Sequence, residues 1–207
     1  MKLYDISMPI ELSMQVYKNK AEKRPLFETT SDFSTGSAHE SRIHLDVHTG
    51  THIDAPLHMI PQGETIESIA IERLVTRCRV LDLTTVTDAI SRKDLEGFAI
   101  QAGDFLLCKT KNSFSEEFVM DFIYVAQDAA TWLAEIGIAG IGIDALGIER
   151  AQPEHTTHKA FFEKGIIILE GLRLREVPQG EYQLIALPLA LIGLDAAPAR
   201  AILLPLA

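Results

Sequence analysis

The chain has 207 residues, of which 47% are hydrophobic and 23% charged, so it can fill a hydrophobic core and does not have the composition of a disordered protein. Its formal net charge at pH 7 is −10, and it has no block of lysine and arginine that could follow a phosphate backbone, which excludes nucleic acid as an expected partner. No apolar run approaches the roughly 20 residues that span a bilayer, and an acid stands where a signal peptide would have its apolar centre, so we expect a cytoplasmic protein that does not contact membranes.

Short predicted strands alternate with predicted helices, which indicates a mixed α/β fold in a single domain of residues 1–207. The first strands are predicted at 2–6 and 43–47, and the apolar-polar alternation of the second predicts a half-buried strand that ends at His48. Between them, the stretch from Tyr17 to Gly36 is predicted as a long loop that acts as a lid or binding loop, with plain mobility as the alternative. The remaining strands are predicted at 78–83, 104–109, 138–143, 165–169, 182–187 and 201–204, and the helices at 64–75, 91–97 and 127–136.

Three histidines and an aspartate lie within eleven residues, in the stretch H-T-G-T-H-I-D-A-P-L-H from His48 to His58. The whole chain has seven histidines, so this density is high for ordinary surface residues. The glycine and the proline in the stretch disfavour a helix, so the side chains would have to converge from a turn, which Gly50 permits. His48, His52 and Asp54 would then offer two nitrogens and one oxygen, a set that suits Zn²⁺ and is acceptable to Mn²⁺ or Fe²⁺. A cluster of hydrogen-bonded surface histidines is the alternative.

A second group of metal-ligand residue types follows later in the chain, with His155, His158 and Glu170. Glu170 ends an apolar run that predicts a strand buried on both faces, and a carboxylate in that position is costly unless it is paired or bound to a metal. A salt bridge to Arg173 or Arg175 is the alternative for Glu170.

Three other residues of reactive type are expected to be structural. Cys78 and Cys108 lie in apolar stretches, outside any metal-binding or disulfide spacing, and are expected to be reduced core residues. A catalytic cysteine is the alternative, but no neighbouring residue would lower either thiol pKa. Asp144, at the end of the predicted strand 138–143, is expected to cap a helix or to support the site from behind the ligands.

The stretch from His48 to His58 resembles the H-x-G-T-H-x-D-x-P-x-H motif of the cyclase-like metal-dependent hydrolases, the family that includes bacterial kynurenine formamidases. Every fixed position of the motif is matched. The resemblance extends to residues 3–10, 142–144 and 158–172, and so covers essentially the whole chain. It implies a swivelling β/β/α fold, in which a mixed sheet or barrel-like core has flanking helices, and it implies hydrolysis of a small amide or formamide.

The resemblance also implies a role for individual residues. Two divalent metal ions per chain are typical of such enzymes, and we expect zinc, with manganese as the alternative. The implied ligands form two sets, with Asp54 as a bridge between them: His48, His52 and Asp54 for one ion, and Asp54, His158 and Glu170 for the other. His58 would be the residue that donates and accepts protons.

The sequence differs from the formamidases in the loop after the first strand. The formamidases resemble W-P-G-D-x-P there, whereas this chain has V-Y-K-N-K at 16–20, and Tyr17 would replace the aromatic wall of the substrate pocket. Hydrolysis of a cyclic amide or lactone, as in relatives that resemble isatin hydrolase, is therefore an alternative. Another is a metal-binding protein without turnover, in which His58 would be dispensable. We expect a small-molecule substrate and a homodimer, for which the apolar segment 196–204 offers a core strand or a contact surface.

Overall fold

A computed structural model of the chain describes residues 2–206, with twelve β-strands and three α-helices. The strands are β1 (Tyr4–Asp5), β2 (Leu26–Ser31), β3 (Glu40–His44), β4 (His52–Asp54), β5 (Val75–Asp82), β6 (Ala89–Ile90), β7 (Phe105–Lys109), β8 (Tyr124–Val125), β9 (Gly140–Ile143), β10 (Ile167–Glu170), β11 (Gly180–Pro188) and β12 (Ala196–Pro205). The helices are α1 (Arg92–Leu95), α2 (Gln127–Ile136) and α3 (Thr156–Phe162). None of the helices in residues 2–206 is long and apolar enough to cross a membrane.

Seven strands close into a mixed barrel in the order β12-β11-β5-β7-β9-β10-β4, and β4 pairs with β12 to complete the ring. Strands β5, β7, β9 and β10 run parallel to one another, whereas β11, β12 and β4 join the barrel by antiparallel pairing. β1 adds to the outside of β12, and two small pairs, β2–β3 and β6–β8, lie apart from the barrel. The expected α/β fold with a barrel-like core and flanking helices is confirmed.

Side chains of successive residues on β5, β7 and β10 enter two separate hydrophobic clusters. On β7, Phe105 and Leu107 belong to the cluster inside the barrel, whereas Leu106 packs outside it with Leu133 of α2. Burying each such side chain contributes about 1.5–3 kcal/mol. On β4, Ile53 belongs to the inner cluster, so the residues on either side of it point outward, toward the helices.

The predicted strands from residue 78 onward correspond to β5, β7, β9, β10, β11 and β12, and the helix at Gln127–Ile136 has the predicted bounds. The helix predicted at 64–75 is wrong. That segment forms two 3-10 turns, Ile66–Ser68 and Ile71–Leu74, and continues into β5. The Ile66 N–H donates to the Leu194 carbonyl instead of a helical partner, so the loop before β12 sets the backbone of this segment.

The N-terminal loop and the strand predicted at 43–47 also differ from expectation. The predicted loop from Tyr17 to Gly36 contains β2, which forms an antiparallel hairpin with β3. β3 is exposed on both faces, so its alternation does not reflect half-burial. The strand ends at His44, and Asp46 then accepts the His48 N–H (3.0 Å) in a turn. His48 therefore lies in a turn and does not end a strand.

The cysteines have the structural role expected of them, and Asp144 bonds to the 3-10 turn after β7 instead of to the candidate metal ligands. Cys78 and Cys108 are buried and unpaired, and burial raises the pKa of each thiol to about 12. The Asp144 carboxylate accepts hydrogen bonds from the backbone and hydroxyl groups of Thr110 (2.7 Å each) and Ser113 (3.0 and 2.6 Å). It therefore ties the turn after β7 to the end of β9.

Candidate metal centre

The five side chains predicted to bind metal lie together on the outer face of the barrel, next to α3. His52 and Asp54 come from β4, and the antiparallel register with β10 puts Glu170 opposite His52. His158 comes from α3, and His48 comes from the turn before β4. Residues from one turn, two strands and one helix thus converge on one place.

Two glycines allow the turn before β4 to meet the end of β10. Gly50 and Gly171 have φ angles of 65° and 69°, a backbone conformation that favours glycine. A Cβ atom on Gly171 would lie 2.2 Å from the Gly50 carbonyl oxygen, so no side chain fits there. The Thr51 hydroxyl donates to the Gly171 carbonyl (2.7 Å) across this contact. The close approach holds His52 beside Glu170.

The candidate ligand atoms are grouped around the two carboxylate oxygens of Asp54. Asp54 Oδ1 lies 3.0 Å from His48 Nδ1 and 3.4 Å from His52 Nε2. Asp54 Oδ2 lies 3.6 Å from His158 Nε2, and this nitrogen is 3.6 Å from Glu170 Oε1. Glu170 Oε2 is 3.2 Å from His52 Nε2 and links the two groups. Both oxygens of Asp54 thus face histidine nitrogens, and Glu170 lies beside His52 and His158.

The chemistry of these atoms fits a metal ion. Asp54 is 1% exposed, yet neither of its oxygens has a hydrogen-bond partner, and His52 Nε2 also lacks one. The atoms are close to one another without the alignment of hydrogen bonds. A buried polar group without a partner costs about 1–3 kcal/mol, and more if it is charged, so a bound cation explains why the fold keeps several of them together. Histidine nitrogens and carboxylate oxygens are ligands that zinc and manganese both accept.

The rings of His48 and His52 are hydrogen-bonded at the nitrogen that faces away from Asp54, whereas His158 Nδ1 has only an ion-pair contact. His52 Nδ1 is 2.9 Å from the backbone carbonyl two residues earlier, and His48 Nε2 is 2.9 Å from Asp195 Oδ2. His158 Nδ1 lies 3.2 Å from Glu149 Oε1. In metal sites such partners fix the ring orientation and leave the other nitrogen for the ion.

Sequence reasoning missed Asp195 and Glu149. Each is a single acid among apolar neighbours, without a motif, and only the tertiary fold brings it to the centre. Glu149 also contacts His155 Nδ1 (2.5 Å), and this histidine side chain is 58% exposed. His155 is therefore separated from Asp54 by Glu149 and His158, which supports His158 as the ligand.

The salt bridge considered for Glu170 is wrong. Glu170 Oε1 accepts the Ile148 N–H (2.6 Å), and its carboxylate faces His52 and His158. Arg175 pairs instead with Glu116 (3.1 Å). The buried carboxylate at the end of β10 belongs to the metal centre.

The metal-free centre is expected to hold protons that metal binding must displace. Burial opposes a charge on His52, but Asp54 and Glu170 outweigh burial and raise its pKa to about 10. For His158, burial likewise opposes the charge, and Asp54, Glu149 and Glu170 raise the pKa well above its usual value. Both shifts favour the protonated ring in the metal-free protein, and each ring must lose its proton before that nitrogen binds an ion.

We expect zinc binding to release protons at pH 7, and zinc affinity to fall as the pH is lowered. Calorimetric titration of metal-free protein in two buffers of different ionisation enthalpy measures the release. Equal apparent enthalpies in the two buffers would show that the rings are already neutral before zinc arrives.

His58 lies beside the metal ligands, on the 3-10 turn Pro56–His58 that follows β4. Its ring centroid is 4.2 Å from that of His48 and 5.6 Å from that of His158. His58 Nδ1 is 3.3 Å from Asp195 Oδ2, the oxygen that also contacts His48. Burial, with the charges of His48 and His158, lowers the pKa of His58, so its ring is neutral at pH 7 and can accept a proton. Its closeness to His48 and Asp54 leaves a metal-ligand role as the alternative.

A cavity of about 350 Å³ opens above these side chains, a volume within the range of small-molecule sites. Tyr17 forms part of its wall and packs edge-on against Phe118 and Phe122, with centroid distances of 5.4 and 6.4 Å. Burial, and secondarily the charge of Glu170, raises the pKa of the Tyr17 hydroxyl, so it stays protonated near neutral pH. This position supports the substrate-binding role predicted for Tyr17.

The chain is similar to several known proteins. Residues 4–150 match the sequence profile of the family described as "Putative cyclase". Over 174 residues the chain is 35% identical to a kynurenine formamidase of Bacillus cereus, and the alignment covers 83% of each protein. A solved structure described as a "potential metal-dependent hydrolase with cyclase activity" is 55% identical, with a TM-score of 0.93, and the match covers 98% of this chain and 96% of that one. Isatin hydrolase A of Labrenzia aggregata, at 22% identity, shares the fold, with a TM-score of 0.83 over 98% of this chain and 93% of its own. The chain belongs to the cyclase family, as the motif from His48 to His58 indicated.

Proposed function

We propose that the protein hydrolyses a small amide or formamide, a carbon-nitrogen bond outside peptides, with a metal-activated water. The observation that carries the proposal is Asp54, whose two buried oxygens each face a different set of ligand-type side chains. The similarity to the formamidase of Bacillus cereus supports an amide as the substrate. The similarity to the metal-dependent hydrolase structure supports the use of metal.

The ligand geometry supports two divalent ions per chain. We propose zinc as the metal, with manganese as the alternative. The proposed ligands are His48, His52 and Asp54 for one ion, and Asp54, His158 and Glu170 for the other. When bound, such ions polarise a substrate carbonyl and lower the pKa of a water molecule to near neutrality.

The side chains around the ligands move the protons and hold the substrate. Asp195 accepts a hydrogen bond from His58 Nδ1, which leaves Nε2 free to accept a proton and return it to the departing nitrogen. Tyr17 and the phenylalanines behind it form an apolar wall that positions the rest of the substrate and excludes water.

Hydrolysis of a cyclic amide or lactone is the second candidate. The loop at 16–20 lacks the Pro-Gly-Asp turn of the formamidases, and Tyr17 stands in its place beside the cavity. The fold shared with isatin hydrolase A is compatible with such a substrate. A panel of formanilides, cyclic imides and aryl lactones separates the two activities.

The proposed function is tested with metal-loaded protein without a histidine tag. We expect elemental analysis to find up to two divalent ions per chain. Chelation should abolish hydrolysis and zinc should restore it, while the far-ultraviolet circular dichroism stays close to that of the loaded protein, because the core does not depend on metal alone. Less than one tightly bound ion under metal-replete conditions, or no turnover of any compound in the panel, would contradict the proposal and favour a binding protein.

We also propose that the protein acts as a homodimer on a small-molecule substrate. The C-terminal segment considered as a contact surface is the core strand β12 and does not supply one. Exposed apolar side chains occur on the β2–β3 hairpin, where Phe27 and Phe33 are 41% and 79% exposed, and also within residues 114–120 and 187–194. The cytoplasmic location, the absence of nucleic-acid and membrane partners, and the single domain over residues 1–207 remain predictions from the sequence.

A further inference from the structure

The mouth of the cavity above the metal ligands is basic. Lys18, Lys20 and Lys23 line it, on the segment that joins β1 to β2. The acids that line the same cavity, Glu149 and Glu170, are buried, with 5% and 3% of their surface exposed. Because the whole chain carries a net charge of −10, this entrance has the opposite sign to the rest of the protein.

Two of the three lysines have charges that no carboxylate neutralises. Lys23 Nζ lies 2.9 Å from Asp46 Oδ2 and is paired. Within residues 2–206, no carboxylate oxygen lies within 4.0 Å of the Lys18 or Lys20 ammonium groups. The buried acids of the cavity are engaged elsewhere, since Glu149 contacts two histidines and Glu170 belongs to the metal centre. Lys18 and Lys20 are therefore free to bind an anion.

The backbone holds these lysines beside the aromatic wall. Lys18 and Asn19 have φ angles of 57° and 52°, a left-handed conformation that costs a non-glycine residue about 1–3 kcal/mol. The Asn19 N–H donates to the Val16 carbonyl (2.9 Å), which closes the turn. As a result, Lys18 Nζ lies 5.2 Å from the centroid of the Tyr17 ring. One cation thus stands over the ring that walls the cavity.

We propose that Lys18 and Lys20 form a subsite for a negatively charged group, and that the preferred substrate is an amide with a carboxylate at the end remote from the scissile bond. This inference rests on the proposed hydrolase function. The amide would lie on the floor beside His58 and the ligands, an apolar spacer would follow Tyr17, and the carboxylate would remain at the mouth. Charges at such a rim attract the ligand through solvent, so salt should weaken the preference.

The test compares two formanilides with the same scissile bond, 3-(4-formamidophenyl)propanoate and its primary amide, 3-(4-formamidophenyl)propanamide. The saturated spacer separates the end group from the ring, so the leaving groups match and the charge differs. For zinc-loaded wild type at low salt we expect a lower KM for the propanoate. In Lys18→Met/Lys20→Met the ratio of the propanoate KM to the propanamide KM should rise about 2- to 30-fold, the worth of two exposed charge contacts. The KM for the propanoate should rise while kcat stays unchanged.

The matched control is Lys93→Met/Lys164→Met, which removes two exposed lysines that do not line the cavity and should leave the KM ratio at its wild-type value. A wild-type ratio in Lys18→Met/Lys20→Met, with both substrates hydrolysed, would overturn the subsite and leave the proposed function standing. If neither compound is hydrolysed, the proposed hydrolysis is contradicted for formanilides. The anion subsite is then tested by measuring the binding of 3-phenylpropanoate to metal-loaded protein. Weaker binding to Lys18→Met/Lys20→Met than to wild type would support it, and equal binding would overturn it.

Discussion

Asp54→Asn is expected to lose most of the bound metal and, with it, the hydrolase activity. Asparagine keeps the size of the side chain, so β4 can still pack between β10 and β12, but the negative charge between the two ligand sets is lost. Removing one partner from a buried charged cluster costs about 3–5 kcal/mol, which corresponds to about 10²–10⁴-fold in metal affinity. Elemental analysis after dialysis should find less than one ion per chain in this variant.

Two further variants show whether the loss of metal comes from the lost negative charge of Asp54. Asp54→Glu keeps the charge and should retain more metal than Asp54→Asn. Asp144→Asn changes another buried carboxylate, whose partners are Thr110 and Ser113, so it should lower the unfolding temperature without changing the metal content of the folded protein. If Asp54→Asn holds as much metal as wild type, Asp54 does not bridge two ions.

The placement of His52 and Asp54 could be predicted from the sequence because it depends only on neighbouring residues. Gly50 permits the turn, and residues two apart in an extended strand point the same way, so His52 and Asp54 had to share a face. For Glu170 the apolar run before it indicated a buried strand and left a ligand or a salt bridge open, and only the family resemblance implied a ligand. That run lies in the parallel part of the barrel, where strands are covered on both faces.

Helix α3, which carries His158, could not be predicted in the same way. Its sequence, T-T-H-K-A-F-F, is rich in β-branched and aromatic residues, which are poor helix formers. The helix is held by tertiary contacts: the Thr157 N–H donates to the Glu149 carboxylate (3.0 Å), and Phe161 is fully buried. Asp195 likewise reaches the site through the loop before β12, more than a hundred residues from His48. Tertiary contacts of this kind leave no pattern in the local sequence.

The wrong predictions have a related cause. The helix predicted at 64–75 had enough apolar residues, but Ile71 is 62% exposed and the segment bonds to the loop before β12. The alternation at 43–47 lies on and after a hairpin strand with no buried face. Apolar patterning predicts structure when its apolar residues share one buried face, whereas here Ile66 and Leu74 are buried but Ile71 and Ile43 are exposed.

His58→Ala is expected to lower kcat by about 10²–10⁴-fold and to leave the metal content nearly unchanged. The reason is geometric: His58 lies beside the Asp54 cluster, and its Nδ1 is held by Asp195, so Nε2 is free for proton transfer. Because burial lowers its pKa, the neutral ring can accept a proton at pH 7 and then protonate the leaving amine. The loss should be smaller for anilides with more acidic leaving groups, since these depart with less protonation.

His44→Ala, which removes an exposed imidazole from the β2–β3 hairpin, serves as the control and should keep wild-type kcat. Asp195→Asn should lower kcat less than His58→Ala, because it weakens the orientation of the His58 ring but keeps its nitrogens. It should also weaken metal retention, since the same Asp195 oxygen holds His48. If His58→Ala loses an ion together with activity, His58 is a ligand and the proton-transfer role is wrong. If the ions stay and kcat alone falls, most steeply for the poorest leaving groups, His58 is the residue that protonates the departing nitrogen.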